Sequence, residues 1–313
     1  MTRGIYVKGL DSIPPEARGG VLTIGNFDGV HMGHQRILLN CRALAGEGTP
    51  VVVVTFDPLP EAVLLPPTDV PPLIYPVEQN AQLLLRHGAD VVAVVRTTPE
   101  LLSLTPREFV EQTIMRHLQP RHVVEGANFF FGRGRTGDVA TLQQLGVEHG
   151  FDVTVVDAVV LNLPEGQRRV SSTLIRELIL EGRIEDANYC LARDFTLCGQ
   201  VVAGEGRGKL LDFPTANLEV SGQVTPADGV YAGRAEIDGA TYIAAISIGH
   251  KPTFTLAPRT IEAFLVDAQG DFYGRSMTLT FKHRLREQRK FEKVEALRQQ
   301  IGRDVEKIRE LLG

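Results

Sequence analysis

The sequence predicts an α/β chain in two parts, an N-terminal doubly wound parallel sheet and a C-terminal small antiparallel β-barrel with a terminal helix. Three observations carry this. In the first half, short apolar runs alternate with helical patterns. In the second half, strand patterns follow one another with turn signals between them. The end of the chain returns to helical spacing. A length of 313 residues suits two domains at roughly 150 residues each. The change of pattern falls near residues 183–192, which divides the chain into domains 1–185 and 186–313.

The apolar runs of the first half are Val21–Ile24, Val51–Thr55, Val91–Val95, His122–Glu125 and Val153–Val156. Strands that alternate with helices imply parallel pairing with both faces covered. Helical patterns occupy 33–46, 78–87, 105–118 and 138–149. The clearest helix start is Thr105-Pro106-Arg107-Glu108, which combines an N-cap, proline at the first position and a capping box. Its apolar face runs Phe109, Ile114, Met115, Leu118. A short helix over Ile184–Ala192 ends this half. Beyond it, Thr196–Val202, Val230–Ile237, Tyr242–Ile248, Thr260–Val266 and Met277–His283 read as strands, and Asp238-Gly239 joins two of them as a hairpin. In the last helix Phe291, Val294, Leu297, Ile301, Val305, Ile308 and Leu312 form an apolar stripe expected to cover one side of the barrel.

Composition narrows the function. Apolar residues make up 43% and charged residues 23%, ordinary for globular cores. The formal net charge of -5 argues against a general nucleic-acid or membrane-surface partner. No apolar run approaches the roughly 18 residues of a membrane helix. The opening MTRGIYVKGLDSIPP lacks the apolar segment of a secretory leader, so none is expected. Cys41, Cys190 and Cys198 are odd in number and lack metal spacing, which suits a reducing, cytoplasmic setting.

The chemistry gathers at strand ends, where open α/β sheets bind ligands. Val21–Ile24 runs through a turn of Gly25, Asn26, Asp28 and Gly29 into a helix opened by His31. A helix start offers free N–H groups and the positive end of the dipole to an anion. His31 and His34 share one face of that first turn, and Gly33 between them leaves room for a close ligand. Imidazoles there can donate to phosphate oxygens as charge develops; metal binding or a plain surface location are the competing readings of the pair. The second strand ends in TFDPLP and a proline-rich loop, either a rigid connection or a wall over a nucleotide. The fourth ends in EGANFFFGRGRTGD. There Asn128 offers an amide, Phe129 to Phe131 offer flat apolar surface, and Arg133 and Arg135 offer charge. In RRVSSTLIRELILEG, Ser171 or Ser172 can cap a helix. Hydroxyls of Ser172 and Thr173 with Arg176 suit a triphosphate.

In the second half, GEGRGKLLDFPTANLEV begins with glycines at Gly204, Gly206 and Gly208 among Arg207 and Lys209, which could fold over phosphates. Thr215 and Asn217 are two apart, so an extended strand points both to one side. Their oxygens are hard ligands suited to Mg²⁺ carrying phosphates. Glu262 stands in the otherwise apolar TIEAFLVD. It is either a solvent-facing strand residue or a general base for an alcohol.

GNFDGVHMGHQ resembles the HxGH nucleotidylyltransferases and, with SSTLIR, the bifunctional riboflavin kinase/FMN adenylyltransferases. FPTAN, PADGVY, SIGHKPTF, IEAFLVD, DFYG and RLREQRKF extend the resemblance in order over essentially the whole chain. It implies a Rossmann-like, HxGH-type adenylyltransferase domain followed by a riboflavin kinase barrel. The implied substrates are riboflavin, FMN and ATP, and the implied cofactor is Mg²⁺. His31, His34 and Glu262 would be catalytic. Gly25, Asn26, Phe27, Gly33, Ser172, Thr173, Arg176, Gly204 and Lys209 would bind nucleotide and phosphate. Asn128, Phe129 and Arg286 would bind flavin, and Thr215 and Asn217 the metal. Leu59, Leu174 and Asp212 depart from the family pattern, where His, Arg and Gly are common. They motivate an alternative, a flavin-binding regulator with reduced or lost turnover.

Overall fold

The computed structural model describes residues 4–204, 213–250 and 259–313. The chain divides into two compact units, Met1–Ser172 and Thr173–Gly313. This division lies in the first turn of a helix, upstream of the 185/186 boundary expected from the change of pattern.

In the first unit the elements run β1 (Ile5–Lys8), β2 (Val21–Ile24), α1 (Met32–Ala45), β3 (Val51–Asp57), α2 (Pro60–Leu64), α3 (Val77–Arg86) and β4 (Val91–Arg96). There follow α4 (Pro99–Ser103), α5 (Pro106–Phe109), β5 (His122–Gly126), β6 (Phe130–Phe131), β7 (Gly137–Asp138), α6 (Val139–His149), β8 (Asp152–Val156), β9 (Val160–Leu163) and β10 (Gly166–Arg169). Six strands form one sheet in the order β1-β4-β3-β2-β5-β8, and every pair in it is parallel. The strand order reverses between β2 and β5, and such a reversal opens a ligand crevice at the carboxyl ends of the strands. β1, the β6–β7 ribbon and the β9–β10 hairpin are too short to announce themselves by periodicity.

β2 and the valine-rich β3 and β4 are buried because helices cover the sheet. Leu22, Ile24, Val52, Val54, Ala93 and Val123 pack with Phe109, Ile114, Leu118 and Leu142 in one core. The capping box is present. Thr105 accepts from the Glu108 N–H at 3.3 Å, and its own N–H donates to the Glu108 carboxylate at 2.8 Å. The helix expected over 105–118 is not regular, since Val110–Met115 is a π-helical turn that buries Val110, Thr113 and Ile114. Packing those three side chains onto the core outweighs regular α geometry here.

The second unit follows from Ser172. α7 (Ser172–Leu180) and α8 (Ile184–Leu191) lead into β11 (Phe195–Val202), β12 (Thr215–Glu219), β13 (Gly229–Ile237), β14 (Ala240–His250), β15 (Arg259–Leu265) and β16 (Ser276–Arg286), and α9 (Val294–Leu312) ends the chain. The six strands close into a barrel in the order β11-β12-β15-β14-β13-β16. Ile261, Ala263 and Leu265 of β15 and Met277, Leu279 and Phe281 of β16 are buried. Their neighbours Glu262 and Phe264 are half-buried on the opposite face. α9 packs on β13 and β14. Only the later part of its stripe is buried, at Val305 and Ile308, while Val294 is 62% exposed. The helix also starts after Phe291, so the stripe covers less of the barrel than its length in sequence implies.

Helices α7 and α8 belong with the barrel. The Ala227 N–H donates to the Ile179 carbonyl at 3.2 Å. Asn188 takes the Phe195 N–H at 2.7 Å and gives its amide to the Phe281 carbonyl at 2.9 Å.

Candidate functional site

His31 is the N-cap of α1. Its Nδ1 accepts the N–H of Gly33 at 3.1 Å and of His34 at 3.4 Å. An imidazole nitrogen that accepts carries no proton, so the ring proton sits on Nε2, which is left as a donor. The cap therefore selects the tautomer. The His31 and His34 rings stack at 3.7 Å between centroids, and Phe27 meets His34 edge-on at 5.0 Å. At Gly33 a Cβ would lie 3.0 Å from His31 Cε1, so a side chain at this position would crowd the capping ring.

The turn between β2 and α1 is strained and held from several sides. Phe27 (φ 46°) and Val30 (φ 38°) are left-handed without being glycine, which surrounding structure must enforce. The Asn26 carbonyl accepts from Thr55 Oγ1 at 3.1 Å, the Asp28 carbonyl from Ser172 Oγ at 2.8 Å, and the Val30 carbonyl from Gln35 Nε2 at 2.9 Å. The Asp28 carboxylate, 1% exposed, takes the N–H of Ile74 at 3.0 Å and of Tyr75 at 3.2 Å. Asn80 donates to Asp28 at 3.3 Å and accepts the Gly29 N–H at 3.0 Å. The proline-rich loop is thus stapled to the motif through Asp28 and Asn80, residues that sequence reasoning did not single out as functional. Asp28 was visible only as a turn former, and Asn80 as one polar residue of a helix.

Among the expected nucleotide residues, Gly25 closes on β3 by donating to the Val54 carbonyl at 3.0 Å. Asn26 Nδ2 reaches Glu61 at 3.3 Å. The Phe27 side chain is 2% exposed, so it supports the turn from within, and what it can offer a ligand is its backbone. Ser172 spends its hydroxyl on the turn, as above. Thr173 is exposed and Arg176 half-buried, both in the second unit.

After β5, Asn128 is exposed, with Oδ1 folded 3.1 Å from where a Gly126 Cβ would be. The three phenylalanines divide. Phe131 is buried against Phe109, and half-buried Phe129 stacks on Phe131 at 5.4 Å. Phe130 is the exposed ring, with the Arg135 guanidinium 4.9 Å above it. The run therefore offers a ligand one open face, not three.

On the barrel, register assembles what the sequence scattered. Asn217 of β12 faces Glu262 of β15, which on its other side faces Ser247 of β14. Directly paired residues share a face. Thr215 Oγ1 lies 3.5 Å from Glu262 Oε2, and Gly204 touches the Asn217 amide so closely that a Cβ would collide with it. Gln288, unnoticed in sequence, donates to Ser247 Oγ at 2.8 Å at the edge of this face. Phe213 packs edge-on against Phe264 at 5.2 Å. Hydroxyl, amide and carboxylate oxygens stand together with a single carboxylate. That set fits Mg²⁺ that keeps waters and phosphate oxygens rather than a full protein cage. Among the described residues no cluster of three or more His, Cys, Asp or Glu could hold a metal alone. Lys209, with Arg207, Asp212 and Lys251 to Phe254, lies outside the described residues. Arg286 gives its guanidinium to Asp304 of α9, Nε at 3.0 Å and Nη2 at 2.7 Å to Oδ2, which anchors the terminal helix.

A nucleotide-type crevice in a doubly wound sheet and a six-stranded barrel with an oxygen-lined face define a two-domain phosphate-handling transferase. Comparison with known proteins narrows this. Residues 13–174 match the FAD synthetase family and residues 191–312 the riboflavin kinase family. A bifunctional riboflavin kinase/FMN adenylyltransferase of Pseudomonas fluorescens is 37% identical over 97% of each chain. That of Escherichia coli K12 is 34% identical over 100% of this chain and 98% of its own. A solved structure from Streptococcus pneumoniae, described as a macrolide-efflux protein, superposes with a TM-score of 0.86. It is 29% identical and covers 98% of this chain and 99% of its own. The chain belongs to the bifunctional riboflavin kinase/FMN adenylyltransferase family. No helix among the described residues is long and apolar enough to cross a membrane.

Proposed function

We propose that the barrel phosphorylates riboflavin to FMN and that the α/β unit adenylylates FMN to FAD. In the first reaction the 5′-hydroxyl of riboflavin attacks the γ-phosphorus of ATP, the hydroxyl proton passes to Glu262, and ADP leaves. An alcohol is a poor nucleophile and benefits from a base. Glu262 stands beside Thr215 and Asn217, which would hold Mg²⁺ with the nucleotide. The ion, when bound, draws charge from the phosphate oxygens. Gly204, lacking a Cβ, leaves the Asn217 amide the space it occupies.

In the second reaction an oxygen of the FMN phosphate attacks the α-phosphorus of ATP, and pyrophosphate leaves. The nucleophile is already an anion, so the site needs charge stabilisation and alignment rather than a base. The observation that carries this reading is the His31 cap. Two backbone N–H groups fix its Nδ1 as acceptor and leave Nε2 as a donor beside the helix N-terminus. His34, stacked on it, supplies the second donor. The turn backbone from Gly25 to Phe27, with Gly33 and Ser172, completes the phosphate site of the first unit in this reading. Asn128 and Phe129 shape the flavin side, with Phe130 as the open ring.

The test is chromatographic. Incubation with riboflavin, ATP and Mg²⁺ should give FMN, then FAD, with ADP and pyrophosphate as the released products. Binding of flavin with neither product formed would select the regulator reading and reject this one.

A further inference from the structure

The geometry points to Glu125 as a positioning residue for adenylyl transfer, a buried carboxyl wedge that spans the gap between β2 and β5 beneath the His31/His34 turn. The inference rests on the adenylyltransferase reading of the first unit.

The parallel ladder between β2 and β5 joins only Val21 with His122 and Leu22 with Val123. On its other side β2 stays paired with β3 through Ile24 and Val54. The sheet thus forks on the β5 side just before Gly25. At the fork the Ile24 N–H has lost its strand partner, and it donates instead to Glu125 Oε1 at 2.7 Å. Glu125 is 2% exposed. Its own backbone continues the ladder with β8, opposite Val155. The side chain therefore bridges a gap that the backbone does not close.

Three elements meet at this carboxyl. Ile24 is the last residue of β2 before the motif turn. Glu125 precedes Gly126 and the Asn128 loop by one and three residues. α1, which His31 caps, packs on both strands, and burial pushes the thiol of its fully buried Cys41 up. Burial holds Glu125 itself well above the usual carboxylate range, while the Ile24 N–H and the Thr23 hydroxyl pull only partly back. A neutral acid can accept from Ile24 without leaving an uncompensated charge in the core. This hydrogen bond ties the end of β2, where the motif turn begins, to the end of β5, where the Asn128 loop begins. In-line transfer is sensitive to the spacing of what these two ends carry, because misplacement by about 1 Å can cost ~10²-fold.

Two variants of similar volume separate the acceptor from the filler. Glu125→Gln keeps an oxygen for Ile24, and Glu125→Met does not. FAD formation from supplied FMN should fall at least about tenfold in kcat in E125M, with KM for ATP and FMN within about threefold of the parent. E125Q should recover the parental kcat to within about threefold. FMN formation from riboflavin, measured on the same preparations, should be unchanged in both. A parental kcat in E125M, or a fall in E125Q as deep as in E125M, overturns the wedge. A parent that makes no FAD from FMN overturns the functional reading and this inference with it.

Discussion

Replacing His31 tests whether one side chain serves two purposes. The residue is 6% exposed, caps α1 with two backbone bonds and stacks on His34. Loss of an N-cap costs about 1 kcal/mol, and truncating a buried ring adds a cavity cost. His31→Ala should therefore lose about 2–4 kcal/mol in urea unfolding. It should also lose about 10²–10³ in the rate of FAD formation, the usual cost of one donor to a developing charge. His31→Asn separates the two. Its Oδ1 occupies the same branch position as Nδ1 and can accept from Gly33 and His34, but nothing replaces Nε2. Stability should return to within about 1 kcal/mol of the parent, while FAD formation stays low. Both variants should still convert riboflavin to FMN. FAD formation by H31N within threefold of the parent would refute the reasoning and leave His31 as a cap alone.

Four further outcomes follow. Glu262→Gln keeps shape and polarity but cannot take the proton, so FMN formation should fall by about 10²–10⁴; FAD formation from supplied FMN should not change, and equal loss of both would indicate misfolding. Asp28→Ala strands the buried N–H groups of Ile74 and Tyr75. It should cost about 2–4 kcal/mol in denaturant unfolding and lower FAD formation more than FMN formation. Burial raises the folded pKa of Glu125 above its ordinary 4.5. Its contribution to stability is therefore full below 4.5 and declines as pH rises towards the folded value, at up to about 1.4 kcal/mol per unit. The stability of E125Q relative to the parent should grow over that window, and a constant difference from about pH 4 to 8 would contradict the buried neutral acid. Finally, a fragment from Thr173 to Gly313 should fold, phosphorylate riboflavin and melt above one from Ile184. Only the longer fragment keeps the Ile179 and Glu181 carbonyls that Ala227 and Arg284 use.

Features that depend on neighbours a few residues apart were legible before any fold was known. Period separated the parallel-sheet half from the barrel half. The Thr105–Glu108 box is a bond across three residues, legible because its partners are local, and the helix opening at His31 was readable from the turn before it. The oxygen-bearing pair Thr215 and Asn217 was readable as one-sided because a strand repeats every two residues. Tertiary structure decided everything that long-range register controls. Glu262 could be a surface residue or a base in sequence, and only the pairing of β12 with β15 sets it opposite Asn217. Three consecutive phenylalanines look equivalent until the core takes Phe131, half-buries Phe129 and leaves Phe130 outside. At Gly33 only the folded turn shows the His31 ring standing 3.0 Å from where a Cβ would be. Glu125 and Ile24 are 101 residues apart, and Asp28 and Asn80 are 52 apart. No local pattern signals such bonds, because the chain brings their partners together only in the folded unit, Ile24 and Glu125 across the fork between β2 and β5. A side chain there is chosen by the shape of a gap that exists only once the sheet has formed.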